Sequence, residues 1–397
     1  MSSGRASSSP ESLCRIGLNA HLLSLTQSYR GAGINGYIYQ LLRHLPEVAG
    51  AGYPFRYIAY LHEPAFVAPA GMNVVRSRWD TRSPWRRIAW GQTQLALLSR
   101  NADLLHGLAF AAPLAAACPT VITVHDLSFL RYPHAFRAFN RRYLSLFARL
   151  STRRAARVIA VSESTRQDVI ALCGVPAERV VTVPNGVGAE FQPAAPAEVA
   201  AFRAARGLPD RFILFLGTLE PRKNLRRLLE AYASLRAHHG AALPPLVIAG
   251  GKGWFYEEIY AAAAELALLD AVIFPGYIPA EDLPWWYRAA ELFVYPSIYE
   301  GFGLPVLEAM ACGTPVVTST ASSLPEVAGD AARLVPPEDT DALADAIDGV
   351  LSTPVLREQM CEAGLRQAAR FSWSATARST AEVYRAALSL PAAGGAA

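Results

Sequence analysis

The chain is expected to fold as two doubly wound α/β domains whose parallel sheets face each other across a cleft. Three observations lead there. Short runs rich in Val, Ile and Leu alternate with helix-length amphipathic stretches, the pattern of strands buried on both faces by crossover helices. The alternation occurs twice, with a Pro- and Ala-rich interruption from Phe191 to Glu198 between the two runs. A chain of 397 residues at 52% apolar content also exceeds what one hydrophobic core normally holds.

The elements follow in order. Residues 1–12 are Ser-rich and read as a disordered tail. The first domain, residues 13–190, has strands expected at Ile16–Ala20, Phe55–Tyr60, Asp103–His106, Val121–Val124, Val158–Val161 and Val180–Val183, and it closes on the turn Pro184-Asn185-Gly186. The second, residues 191–374, has strands expected at Phe212–Leu216, Leu246–Ala249, Val272–Phe274, Leu292–Tyr295 and Pro315–Thr318. A last helical stretch within residues 375–390 can return across to the first domain, and residues 391–397 read as a flexible tail. Ligands of such sheets bind beyond the carboxyl ends of the strands, so the cleft is the expected site.

Composition narrows the function. No apolar run reaches the roughly 18 residues of a spanning helix, and the N-terminus lacks the apolar core of a secretion signal. Five cysteines lie far apart without a Cys-x-x-Cys pair, which points away from zinc and disulfides and toward a reducing cytoplasm. The formal charge is only +4, but it is written as 35 arginines against two lysines, Lys223 and Lys252, a bias that reflects genome composition. Arg131 to Arg157 contains eight arginines and no acid, interleaved with Phe136, Phe139, Tyr143, Leu146, Phe147 and Leu150. Either this helix buries its apolar stripe and solvates its arginines, or it meets anionic lipid or a phosphorylated acceptor at the inner membrane face. No nucleic-acid-reading motif accompanies it, so nucleic acid is not expected as a partner.

Chemistry concentrates in Glu300-Gly-Phe-Gly-Leu-Pro-Val-Leu-Glu308, where two carboxylates flank a loop that turns directly into a helix. Pro305 suits a helix start, Gly301 and Gly303 let the backbone approach a ligand, and the free amides form an anion site whose natural guest is phosphate. Glu308 is read into the first helical turn, leaning back toward the same crevice. Arg222 and Lys223 precede another helix, where the dipole opposes positive charge by roughly 0.3–1 kcal/mol, so an anionic ligand accounts for them better than helix stability does. They can neutralise a diphosphate leaving group, a task a metal performs elsewhere. His125-Asp126 ends a first-domain strand and looks into the cleft, although alone such a pair is more often structural. Gly31-Ala-Gly33-Ile-Asn-Gly36 lies too far from its strand for a dinucleotide fingerprint, but its amides can still approach a phosphate. Asp339-Thr-Asp341 reads as helix capping, and no metal or other cofactor is expected.

Together these segments resemble retaining glycosyltransferases of the GT-B type, with two Rossmann-like domains, and specifically glycosyltransferase family 4. The resemblance covers nearly the whole chain. It rests on His125-Asp-Leu-Ser-Phe129, Val161-Ser-Glu-Ser164, Val183-Pro-Asn-Gly186, Gly217-Thr-Leu-Glu-Pro-Arg-Lys-Asn224, Gly276-Tyr-Ile278, Glu300 to Glu308, Gly313-Thr-Pro-Val-Val317 and Pro325-Glu-Val-Ala-Gly329. It implies Glu300 on the donor sugar and Glu308 on the ribose hydroxyls. By the same likeness the amides of Gly303 and Leu304 hold the diphosphate together with Arg222 and Lys223. His125 then approaches the transferred sugar, Gly33 lies near the phosphates, and the backbone around Tyr277 meets the base. Thr218 stands where many members carry Arg, which shifts phosphate binding toward Arg222.

The likeness is greatest to bacterial mannosyltransferases of surface polysaccharide assembly. It therefore implies GDP-mannose as donor and a saccharide acceptor, lipid-linked at the membrane. Two other readings stay open from the residues: a nucleotide-sugar epimerase or hydrolase on the same architecture, and a partner protein that binds sugar nucleotide without turnover.

Overall fold

The computed structural model describes residues 13–25, 33–49, 53–81, 83–132 and 138–390. Both expected tails, Gly31 and Phe136 lie outside them, as do the side chains of Phe139, Arg141, Arg142 and Tyr143.

Two all-parallel sheets form. The first comprises β1 (Cys14–Asn19), β2 (Phe55–Leu61), β3 (Met72–Arg76), β4 (Leu104–Gly107), β5 (Thr120–Val124), β6 (Arg157–Ala160) and β7 (Val180–Thr182), in the order β3-β2-β1-β4-β5-β6-β7. The second comprises β8 (Ile213–Leu216), β9 (Leu246–Ala249), β10 (Val272–Gly276), β11 (Leu292–Tyr295), β12 (Val316–Ser319) and β13 (Arg333–Val335), in the order β10-β9-β8-β11-β12-β13. The chain order reverses between β1 and β4 and between β8 and β11, and these two switch points open crevices at the strands' carboxyl ends. Central strands such as β4, β5, β8, β9, β11 and β12 are buried along their whole length, which is why their apolar runs stand out in the sequence. The edge strands β3 and β13 do not stand out there. Each is short and mostly not buried, and its apolar residues stand beside Asn73 and Arg76 or Arg333, so neither shows a long apolar run.

The stretch expected to be a linker begins a helix, Pro196–Arg206. Pro196 starts it, Glu198 turns back to accept from the Ala195 amide at 3.1 Å, and Gly207 ends it in the left-handed conformation. The last helix, Trp373–Ala387, is capped by the Ser372 hydroxyl and crosses back to the first domain. There Ala377, Ala381, Val383 and Tyr384 share one core with Ile16, Leu18 and Leu41. Asn185-Gly186 lies under its first residue: a Cβ on Gly186 would sit 2.1 Å from the Trp373 nitrogen, so only glycine fits that turn.

The arginine-rich segment forms the helix Ala138–Arg154, and among its described side chains the apolar ones do not share one inward stripe. Ala148, Ser151 and Thr152 are buried, whereas Leu146 is 55% and Leu150 36% exposed. Arg149 and Arg153 donate to the carbonyls of Leu172 and Cys173, the last residues of the helix Glu163–Cys173, where the helix dipole favours positive charge. Among the described residues, no helix is long and apolar enough to cross a membrane.

Candidate active site

The loop Ser297–Gly303 leaves β11 at the second switch point and becomes the helix Leu304–Ala311. Gly303 caps that helix at φ 106°, a backbone region closed to other residues, and a Cβ there would also meet Leu324. Pro305 occupies the first turn with Leu304 ahead of it, which places Glu308 just beyond that turn rather than within it. Its carboxylate accepts from the Tyr287 hydroxyl at 2.8 Å. Burial pushes the Glu308 carboxyl up to about 8, against the opposing effect of that hydrogen bond, so it is largely protonated at neutral pH.

Glu300 is buried with both oxygens engaged. Lys223 Nζ donates to Oε1 at 2.6 Å and Arg222 Nη1 to Oε2 at 3.1 Å. Burial raises the Glu300 carboxyl, but the two cations outweigh it and hold the group down at about 2. Arg222 is also gripped through Nε and Nη2 by Glu220, and Lys223 donates to the Tyr295 hydroxyl while lying 4.9 Å from that ring. The cations therefore do not sit unpaired at a helix start. Pro221–Lys223 forms a 3₁₀ turn, Asn224 takes a left-handed conformation, and the helix begins at Leu225, so both cations turn inward to two carboxylates. Sequence reasoning overlooks Glu220 and Tyr295. Glu220 stands within Gly217-Thr-Leu-Glu-Pro-Arg-Lys, where its distance of two residues from Arg222 is the available signal; Tyr295 is hidden inside a strand.

Gly217 and Gly250 follow the ends of β8 and β9, Gly276 ends β10, and the three crowd together: a Cβ on Gly250 would come 1.8 Å from the Gly217 oxygen, and Gly250 N donates to Gly276 O at 2.8 Å. Tyr277 follows at that edge, 40% exposed. On the first domain, Gly33 is exposed at φ 61° with open space around it, and its carbonyl accepts from Tyr37 N at the start of the helix Ile34–Ala49.

His125 follows β5. Its Nε2 lies 2.8 Å from the Leu108 carbonyl, which only a protonated nitrogen can satisfy, so Nδ1 is left as an acceptor. Burial lowers the imidazole to about 4 despite the help that carbonyl and Asp126 give the charged form, and the ring is neutral. Tyr37 meets it edge-on with centroids 4.6 Å apart.

The two domains close on each other here. A Cβ on Gly301 would lie 1.7 Å from the His125 oxygen, so that glycine lets the Glu300 loop rest against the His125 backbone. Ser162 and Thr165 hydroxyls donate to Gly301 O at 2.7 and 3.0 Å. The Tyr299 hydroxyl accepts from Leu127 N and donates to Asp168. Glu326 accepts from the amides of Glu163 and Ser164, both at 2.7 Å, at the start of the helix Glu163–Cys173. Asp339 caps the helix Thr340–Ser352 through the Ala342 amide. Among the described residues, no group of His, Cys, Asp and Glu is placed to hold a metal ion.

Residues 31–191 match the model of Glycosyltransferase Family 4, and residues 199–367 that of Glycosyl transferases group 1. The chain is 37% identical over 301 residues to the O-antigen chain mannosyltransferase B of Escherichia coli, covering 76% of this chain and 77% of that protein. It is 33% identical over 275 residues to the serotype-specific mannosyltransferase WbdA of the same species, covering 67% of this chain but only 33% of that longer protein. Among solved structures, the sucrose-phosphate synthase of Thermosynechococcus elongatus superposes with a TM-score of 0.75 at 23% identity, over 94% of this chain and 98% of that one. Two family signatures in this order, on two parallel-sheet domains, and a relative that matches along most of both chains leave one conclusion: the chain belongs to glycosyltransferase family 4 and is a glycosyltransferase.

Proposed function

We propose that the enzyme transfers mannose from GDP-mannose to a saccharide acceptor of surface polysaccharide assembly, with retention of anomeric configuration and without a metal. The observation that carries this reading is the buried cluster of Glu300, Arg222 and Lys223 at the second switch point, held against His125 of the other domain. Mannose is suggested by the relatives, two of which are named mannosyltransferases.

In this reading the diphosphate lies at the amides of Gly303 and Leu304, with Gly33 approaching from the first domain, and it takes over Arg222 and Lys223. Glu300 then turns to the donor sugar. Glu308 accepts from the ribose hydroxyls, and the base sits at the Tyr277 backbone. His125, neutral with Nδ1 free to accept, receives a hydroxyl of the transferred sugar. The bond from the anomeric carbon to the phosphate oxygen breaks while the acceptor oxygen bonds to that carbon on the same face. The acceptor's proton passes to the departing phosphate, so no protein nucleophile is needed. Two cations supply the charge stabilisation that a metal would otherwise give. The acceptor is lipid-linked, and the helix Ala138–Arg154 meets the anionic bilayer through Leu146, Leu150 and Arg154.

Calorimetric titration with GDP, UDP, ADP and their sugar conjugates tests the donor. GDP and GDP-mannose are expected to bind tightest, and preference for another base would overturn the donor assignment. NMR of the product formed with EDTA present checks both anomer and metal: an inverted linkage or complete loss of transfer refutes the corresponding clause.

A further inference from the structure

The Glu300 loop belongs to the second domain, yet the first domain holds it on both sides of that glutamate. Ahead of Glu300, the Tyr132 hydroxyl donates to Ile298 O at 3.4 Å and the Tyr132 ring meets that of Tyr299 with centroids 5.6 Å apart. Behind it, Ser162 and Thr165 donate to Gly301 O. Adjacent side chains part between these supports: Glu300 turns to Arg222 and Lys223 of its own domain, and Tyr299 turns to the first domain.

Tyr299 is buried. Its hydroxyl accepts from Leu127 N at 3.1 Å and donates to Asp168 Oδ2 at 2.8 Å, while its carbonyl accepts from Arg222 Nη1 at 2.8 Å. Burial, with Asp126 and Asp168 nearby, raises the phenol, so it stays protonated and donating. Asp168 is buried too, and its Oδ1 accepts from Arg131 Nε at 2.9 Å. Leu127 caps and Arg131 ends the short helix Ser128–Arg131 that follows His125. One phenol and one carboxylate thus join the His125 segment to the backbone that supports Glu300 and Arg222. Hydrogen bonds weaken steeply as they bend, so this joint fixes a register that non-directional apolar contact leaves free to slide.

We propose that Tyr299 and Asp168 are positioning residues for glycosyl transfer, which together set Glu300 and Arg222 against His125 in the register at which both domains meet the donor sugar. They act through the groups they hold. Glu300 keeps its cation contacts without them, because Lys223 holds its carboxylate and Ser322 Oγ accepts from its amide at 2.7 Å, both within the second domain. Breaking the joint therefore leaves the nucleotide's own site in place and loses the alignment between the domains. The inference rests on the reading in which Glu300 and His125 approach the same sugar.

Tyr299→Phe removes one oxygen and keeps the ring, and Asp168→Asn keeps the side chain's shape, so the pair tests the joint in the full chain. Calorimetry with GDP, UDP and ADP gives nucleotide affinity, and release of nucleoside diphosphate from the best-bound sugar conjugate, with methyl mannobiosides as acceptors, gives turnover. In each variant kcat is expected to fall roughly tenfold or more, with nucleotide Kd and donor KM within about twofold of the wild type. A chain that is merely less well folded loses binding and turnover in the same proportion. The double variant should be no slower than the slower single one, because one joint is broken once. Amide hydrogen exchange needs no substrate: segments 125–132 and 298–303 should both exchange faster in either variant, by roughly tenfold, while β8 is unchanged. An unchanged kcat, a matching loss of nucleotide affinity, losses that multiply in the double variant, or unchanged exchange in either segment overturns the inference. Glu300→Ala separates it from the donor reading. Full turnover in Glu300→Ala beside slow turnover in Tyr299→Phe sinks the sugar contact of Glu300 and sustains the joint, and the reverse sinks the joint alone.

Discussion

Glu300 has two competing uses, and its charge connects them. It neutralises Arg222 and Lys223, the two groups proposed to meet the diphosphate. Glu300→Gln should therefore bind free GDP several-fold more tightly while transfer falls by about two orders of magnitude, the usual scale for losing a charged contact at the reacting centre; calorimetry and initial rates separate the two effects. Glu308 has the opposite problem. Its folded value of about 8 lies above its ordinary 4.5, so between those limits the unfolded chain binds fewer protons than the folded one, and stability falls as pH rises through the window. Glu308→Gln should flatten that slope in denaturant midpoints measured from pH 5 to 8. Ribose hydroxyls favour the ionised form, so nucleotide binding should release protons in the same range, visible as a buffer-dependent binding enthalpy. The glutamates themselves are legible in the sequence by their spacing. Their opposite titration is not, because it depends on Lys223 and Arg222 reaching one carboxylate, while the other is buried without a cation among the described residues.

A glycine in the Ser297–Gly303 loop sets the distance between the domains. Gly301→Ala would place a methyl 1.7 Å from the His125 carbonyl, so the loop and the first domain must separate. Transfer should drop about 100-fold from a misplacement on the order of an ångström, while the thermal transition moves little because neither core is touched; an unchanged rate would show that the closed approach is not the reacting one. The arginine-rich helix yields a second test. Leu146→Ser, Leu150→Ser and Arg154→Glu combined should weaken sedimentation with anionic vesicles at low salt about tenfold or more, since each basic residue near such a surface contributes on the order of 1 kcal/mol. Retained binding would remove this helix from the membrane contact. Periodicity places the helix but leaves open which of its faces is buried; Ser151 and Thr152 face the packed interior, while Leu146 and Leu150 do not.

Across the whole molecule, the helix Trp373–Ala387 holds the first domain from the far end of the chain. Tyr384 and His106, 278 residues apart, are joined by a 2.6 Å hydrogen bond within a fully buried core. Tyr384→Phe should cost about 1–3 kcal/mol by stranding the His106 Nδ1, measured as a lower denaturant midpoint for the first domain. The sequence by itself determined two α/β domains and the central strands, and it singled out the glutamates, cations and histidine as site candidates, because buried parallel strands and glycine-rich strand ends write themselves as local patterns. Only the tertiary structure decided that Glu220 and Tyr295 share the cation cluster, that Gly301 seats one domain on the other, and that Tyr299 reaches Asp168 of the first domain. Those are contacts between residues distant along the chain, and their physical cause, complementary surfaces brought together by packing, leaves no local periodicity to read.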